Sequence, residues 1–208
     1  MEYSRINGGN MKVTANNVLA VAKNFVGFSI EDPEYKKIVK IYNSYKPLTR
    51  NCKLMQGDNW SAAFMSVCFI IAGDTMIIGG IEKDLDRHII RFKRKKIWHN
   101  VGTILPKVGD LVAFDANSIG IIETIQGRVL TIITGDKSGS IGRIRLINND
   151  RRIKGYVRPK YVCEKQAVDD VAKEVLAGKW GNGFAMKKKL TDAGYDYDKI
   201  QKRVCELS

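Results

Sequence analysis

The side chains able to do covalent or metal chemistry are few. Four cysteines (Cys52, Cys68, Cys163, Cys205) and two histidines (His88, His99) are spread over 208 residues. No pair of cysteines has the CxxC spacing that a zinc ribbon or dithiol redox centre needs. A metal would have to gather ligands from distant segments, so neither a metal nor a cofactor is expected. Cys68 lies within Val67-Cys68-Phe69-Ile70-Ile71, where a thiol behaves as a small apolar side chain. His88 and His99 flank a basic segment. Isolated thiols of this kind read as the reduced cysteines of a protein made in the cytosol.

The formal net charge of +13 implies attraction to a polyanion: nucleic acid, an anionic membrane, or the phosphate-rich polymers of a Gram-positive wall. Its densest runs, Arg91-Phe92-Lys93-Arg94-Lys95-Lys96 and Lys187-Lys188-Lys189, read as solvated helix faces. Hydrophobic residues at 44% and charged residues at 27% suit an ordinary globular chain. No apolar run approaches the roughly 20 residues of a membrane span. The stretch Met1 to Asn10 has no apolar core for a signal peptide. The expectation is synthesis in the cytoplasm, with any passage to the cell exterior by a route other than an ordinary signal peptide.

These side chains need elements to hold them. Apolar residues recur at helical spacing from Asn16 to Phe28, and Gly27 closes that segment. Asp32 to Tyr45 reads as a second helix, Ala62 to Ala72 as a strongly apolar one ended by Gly73, and Lys83 to Lys96 as a basic one. After Pro106 the pattern turns to strands: Leu111 to Phe114, Ile119 to Ile125, Val129 to Ile133 and Ile141 to Ile147, joined by tight turns as in an antiparallel meander. Helices first and strands second predict an α+β domain ending near Tyr161. A linker is expected at 162–168. Asp169 to Leu207 reads as helical, interrupted at Gly178 to Gly183 and at Gly194.

The ordered segments Asn59-Trp60-Ser61-Ala62-Ala63-Phe64, Gly109-Asp110-Leu111-Val112 and Ser118-Ile119-Gly120-Ile121-Ile122-Glu123 resemble the CHAP group of papain-like amidases and peptidases. Two further stretches fit the same group. Lys37-Ile38-Val39-Lys40-Ile41-Tyr42-Asn43-Ser44-Tyr45-Lys46-Pro47-Leu48 is similar to lysins of phages and prophages of Gram-positive hosts, and Lys154-Gly155-Tyr156-Val157-Arg158-Pro159-Lys160-Tyr161 matches the domain's end. The resemblance implies a papain-like domain over 16–161, with 1–15 as an extension.

In that group a cysteine follows the tryptophan at a helix N-terminus, where the dipole and a nearby histidine favour the thiolate. Here the cysteine position is Ser61 and the histidine position is Ser118. The polar orienting residues of that group, usually Glu and Asn, correspond to Thr134 and Asp136. A serine without an adjacent base is not a useful nucleophile. Cysteine-to-serine alone would look like deliberate inactivation of an active amidase or endopeptidase. The histidine and glutamate are missing as well, which favours a pseudoenzyme. Ser61 is then expected to serve as a helix N-cap, with Trp60 and Phe64 as packing residues.

A second resemblance covers 169–208. Val171-Ala172-Lys173-Glu174-Val175-Leu176-Ala177-Gly178-Lys179-Trp180-Gly181-Asn182-Gly183, followed by Leu190-Thr191-Asp192-Ala193-Gly194-Tyr195-Asp196-Tyr197, is similar to the Cpl-seven-type wall-binding repeat. This implies a small three-helix bundle that recognises peptidoglycan fragments. Trp180 and Tyr195 would supply flat faces for sugar rings, or else form the bundle's own core. Asn182 and Lys189 would supply polar contacts. Met186 stands where that group often has a basic residue.

The two resemblances imply a peptidoglycan-binding, endolysin-like pseudoenzyme. Its expected partners are peptidoglycan and anionic wall polymers, with an active lysin subunit as a further candidate. A hydrolase of wall-peptide amide bonds is the alternative. A basic nucleic-acid binder would explain the charge but neither resemblance.

Overall fold

Thr14 starts the first helix, α1 (Ala15–Asn24), by a reciprocal cap. Its hydroxyl accepts from the Asn17 amide while the Asn17 side chain accepts from the Thr14 amide, so two otherwise unpaired helix-end donors are satisfied together. The computed structural model describes residues 13–46, 48, 53–55, 57–115 and 117–208, leaving aside the side chains at 136, 137, 165 and 166. Cys52 and the 1–12 part of the N-terminal extension lie outside the described residues.

Helix α2 (Pro33–Ser44) begins with a proline, whose missing N–H costs nothing at that position. Helix α3 (Ser61–Ala72) is buried at every position except Ile70 and Ile71, and Gly73, at φ 103°, closes it. A helix apolar on all sides belongs at the centre of a domain. It packs against α1, α2 and two strands of the sheet. Helix α4 (Leu85–Arg94) is capped by Asp84 and carries its basic residues in the last turn, where the helix dipole favours them.

The six strands are β1 (Trp98–His99), β2 (Leu111–Phe114), β3 (Ser118–Gln126), β4 (Val129–Lys137), β5 (Ser140–Ile147) and β6 (Ile153–Val157). They form one antiparallel sheet in the order β1-β6-β2-β3-β4-β5. Alternation along the strands sorts side chains to two faces. Leu111, Ala113, Ile119 and Ile121 join the core shared with α1 to α3; Val112, Phe114, Ile122 and Leu130 form a second cluster with Tyr156. The described chain is thus α+β, with seven α-helices and a six-stranded antiparallel sheet.

Two glycines let α3 and the strands approach closely. A β-carbon on Gly120 would fall 2.4 Å from the Ile133 carbonyl oxygen, and one on Gly135 would meet Phe64 of α3 at 3.0 Å. No larger residue fits at Gly120 without displacing β4.

Helices α5 (Glu164–Leu176), α6 (Gly183–Asp192) and α7 (Tyr197–Leu207) form a bundle around Leu190, Ile200 and Trp180. Most of the segment expected to be a linker, residues 164–168, is therefore the start of α5. The bundle also rests on the rest of the protein. The Val162 amide donates to the Val13 carbonyl at 3.1 Å, and the Asn17 carboxamide donates to the Gly194 carbonyl at 2.9 Å.

Candidate functional site

Pairing between β3 and β4 runs from Gln126–Val129 to Gly120–Thr134 and stops there. The next peptide groups, those of Ile119, are met by side chains instead. The Ser61 hydroxyl accepts from the Ile119 amide at 2.7 Å and donates to its carbonyl at 3.1 Å. The Thr134 hydroxyl donates to the same carbonyl at 2.8 Å. Ser61 and Thr134 are both buried. Three of the four positions singled out by the CHAP resemblance thus meet at the head of β3, with Ser118 half-buried beside Ile119. The fourth, Asp136, has a side chain outside the described residues.

This arrangement corrects one expectation. Ser61 is the first residue of α3, and Trp60 occupies the cap position without a side-chain bond. The Asn59 carboxamide accepts from the Ser61 amide at 3.1 Å. The hydroxyl turns inward because Ile119 offers it both a donor and an acceptor in a dry setting. Unmet, those groups would each cost free energy. The hydroxyl thereby serves as a structural tie between α3 and β3. Trp60 is buried and packs edge-to-face with Tyr35 and Phe64, at ring separations of 5.2 and 6.3 Å.

The other reactive groups lie elsewhere. Cys68 is fully buried two turns further along α3, and burial raises its thiol far above the range in which thiolates form near neutrality. His88 is buried on α4, stacked on Phe92 at 4.2 Å; burial first, and then the charge of Arg91, push it down to about 3. It is neutral at pH 7. His99 lies on β1, half-buried. Among the described residues no cluster of three or more His, Cys, Asp or Glu could hold a metal ion.

In the bundle, Trp180 and Tyr195 are core residues, 4% and 7% exposed. Their rings meet edge-to-face at 5.9 Å, and the Trp180 indole donates to Glu174 at 3.0 Å. Burial raises the Tyr195 hydroxyl to about 12. Neither ring presents a face to solvent. The reason is size: a unit of about 40 residues needs its largest side chains to build a core at all. Met186 likewise fills the core, with the Gln201 amide against its sulfur.

Asn182 and Lys189 are exposed, and Asn182 precedes α6 without using its side chain as a cap. Between them the structure adds Phe184, 83% exposed, which residue types alone did not single out. The helical period could have found it. Met186 and Leu190 are four residues apart and form the buried stripe of α6, whereas Phe184 stands two before Met186 and so points away.

Residues 169–207 match the family described as the CW_7 repeat. The match supports peptidoglycan binding at the cell wall through this part of the chain. Two solved structures are similar to the chain: "The crystal structure of Ly7917", at 15% identity and a TM-score of 0.43, and "The crystal structure of Ly7917 with the hydrolyzing product of MDP", at 18% and 0.42. Each similarity covers 70% of this chain and 62% of the other, so the chain spans less than two thirds of the length of those proteins. No curated protein matches the chain.

Proposed function

We propose that this protein binds Gram-positive peptidoglycan through the α5–α7 bundle and does not cut it. In this reading the α+β domain is a catalytically degenerate, papain-like relative of endolysins that targets or regulates an active lysin. The observation that carries the reading is the CW_7 repeat at 169–207. The inactive state is supported by the Ser61 hydroxyl, whose two bonds to Ile119 replace a reactive thiol with a structural tie. The candidate wall-binding side chains are the exposed ones of the α6 segment: Phe184, which offers an aromatic ring, and Asn182 and Lys189, which offer polar groups. Sugar recognition combines such a ring with polar groups of fixed position.

The test uses the whole chain and purified sacculi. Protein should co-sediment with them and release neither amino groups nor reducing ends above a buffer control. Phe184→Ala should lower co-sedimentation while leaving thermal unfolding nearly unchanged, since the side chain is exposed. Trp180→Ala should instead lose circular dichroism from the bundle, as large-to-small changes in a core cost about 3–5 kcal/mol. Release of new amino groups would establish the hydrolase alternative.

A further inference from the structure

Helix α4 buries Leu85, His88 and Phe92. That leaves Arg87, Arg91, Arg94 and Lys95, at successive helical turns, along another side. Opposite them runs the short 3-10 turn Met76–Ile78, followed by Gly79 and Gly80 at φ +81° and +88°. The glycines allow close approach: a β-carbon on Gly79 would lie 3.2 Å from that of Arg91, and one on Gly80 would lie 3.1 Å from the Arg91 guanidinium. Arg91 donates to the Gly79 carbonyl at 3.1 Å and to Glu82 at 3.3 Å, and Glu82 is 3% exposed. One arginine of the row is therefore fixed from below, and its ordering entropy is spent in folding.

Between the turn and the helix lies an open groove of about 700 Å³. Among the described residues, four cations and one carboxylate, that of Glu82, line it. Its rims carry Met76 and Ile90, 64% and 50% exposed, and among the described residues no aromatic side chain lines it. Single-stranded nucleic acid is ordinarily held by aromatic stacking as well as charge. This groove offers charge with aliphatic rims instead, which suits a chain of phosphates joined by sugars or polyols. Guanidinium groups recognise phosphate oxygens by paired, charge-assisted hydrogen bonds.

We propose that the α4 groove binds a phosphodiester-linked anionic polymer of the cell wall. The site rests on the wall-binding reading above but is separate from the exposed α6 side chains.

The experiment compares untreated sacculi with sacculi stripped by hydrofluoric acid, which cleaves phosphodiesters and leaves the glycan and peptide. The proteins are wild type, the triple variant Arg87→Gln/Arg94→Gln/Lys95→Gln, and a control of equal charge change, Lys36→Gln/Lys40→Gln/Lys160→Gln, at exposed positions away from the groove. The groove variant should bind untreated sacculi about tenfold more weakly, and the slope of log affinity against log salt should shrink by about 2, near 0.7 for each phosphate no longer neutralised. The control should bind untreated sacculi as wild type does, and all three proteins should bind stripped sacculi equally. An equal weakening in the control would reduce the effect to net charge and overturn the site. So would equal binding of wild type to both kinds of sacculi, or a larger groove-dependent weakening on duplex DNA or phosphatidylglycerol vesicles. Absence of binding to stripped sacculi alone would count against the repeat as peptidoglycan receptor while leaving the groove standing.

Discussion

The Ser61 hydroxyl holds both backbone groups of Ile119, accepting at 2.7 Å and donating at 3.1 Å, and so joins the start of α3 to the head of β3. Ser61→Ala removes both bonds. Thr134 still serves the Ile119 carbonyl, but the buried amide is left without that partner. The expected cost is about 1–3 kcal/mol, read as a lower denaturant midpoint with an unchanged slope. An unchanged midpoint would show that the tie contributes nothing.

Ser61→Cys should yield almost no hydrolysis. A general base contributes roughly 10²–10⁴-fold. Ser118, at the histidine position of the resemblance, supplies none, and His88 is buried on another helix. Amino-group release from sacculi is the measurement. Full activity from this single change would show that a base lies within reach of position 61 after all.

Acid should destabilise the fold through His88. Its folded value is pushed down to about 3, against 6.5 in an ordinary setting. Between those values the unfolded chain binds a proton that the folded one does not. Stability contributed by the neutral ring is therefore fully present above pH 6.5 and falls as pH drops toward 3, by about 1.4 kcal/mol for each pH unit. Urea unfolding at several pH values should show this slope, and His88→Leu should remove that part of it. An identical slope in the variant would assign acid sensitivity to the carboxylates instead.

Gly194→Ala should loosen the bundle from α1. The added carbon would sit 2.9 Å from both the Asn17 Cα and its carbonyl oxygen, at a residue whose φ of +80° already disfavours a side chain. Hydrogen exchange at the Val162 amide, which bonds to Val13, should speed up in the variant. Unaltered protection would mean that the contact yields without separating.

The sequence conveyed the elements better than the surfaces. Apolar spacing located α1, which buries one stripe, an unbroken apolar run located α3, which is buried almost whole, and the strands from Leu111 onward stood out by their turns. The sites were less legible. Ser61 reads as a cap in the sequence, because its tie to a strand depends on Ile119, which is 58 residues away. Trp180 and Tyr195 carry the same residue types whether they face a sugar or one another, and only the packing of three helices decides. The α4 groove was invisible for a related reason: the basic run shows where the charge is, but the opposing wall comes from Met76 to Gly80.

The seating of Gly194 against Asn17 bears on how fast the protein finds its target. A recognition module on a slack tether reorients by itself, whereas this bundle turns only with the whole particle. Productive encounters are then limited by tumbling, within the roughly 10⁵–10⁷ M⁻¹s⁻¹ typical of docking one patch at one angle, and for an anionic target of the kind proposed above the positive field raises the rate. Whatever the bundle engages, the sheet then lies at one fixed angle to it.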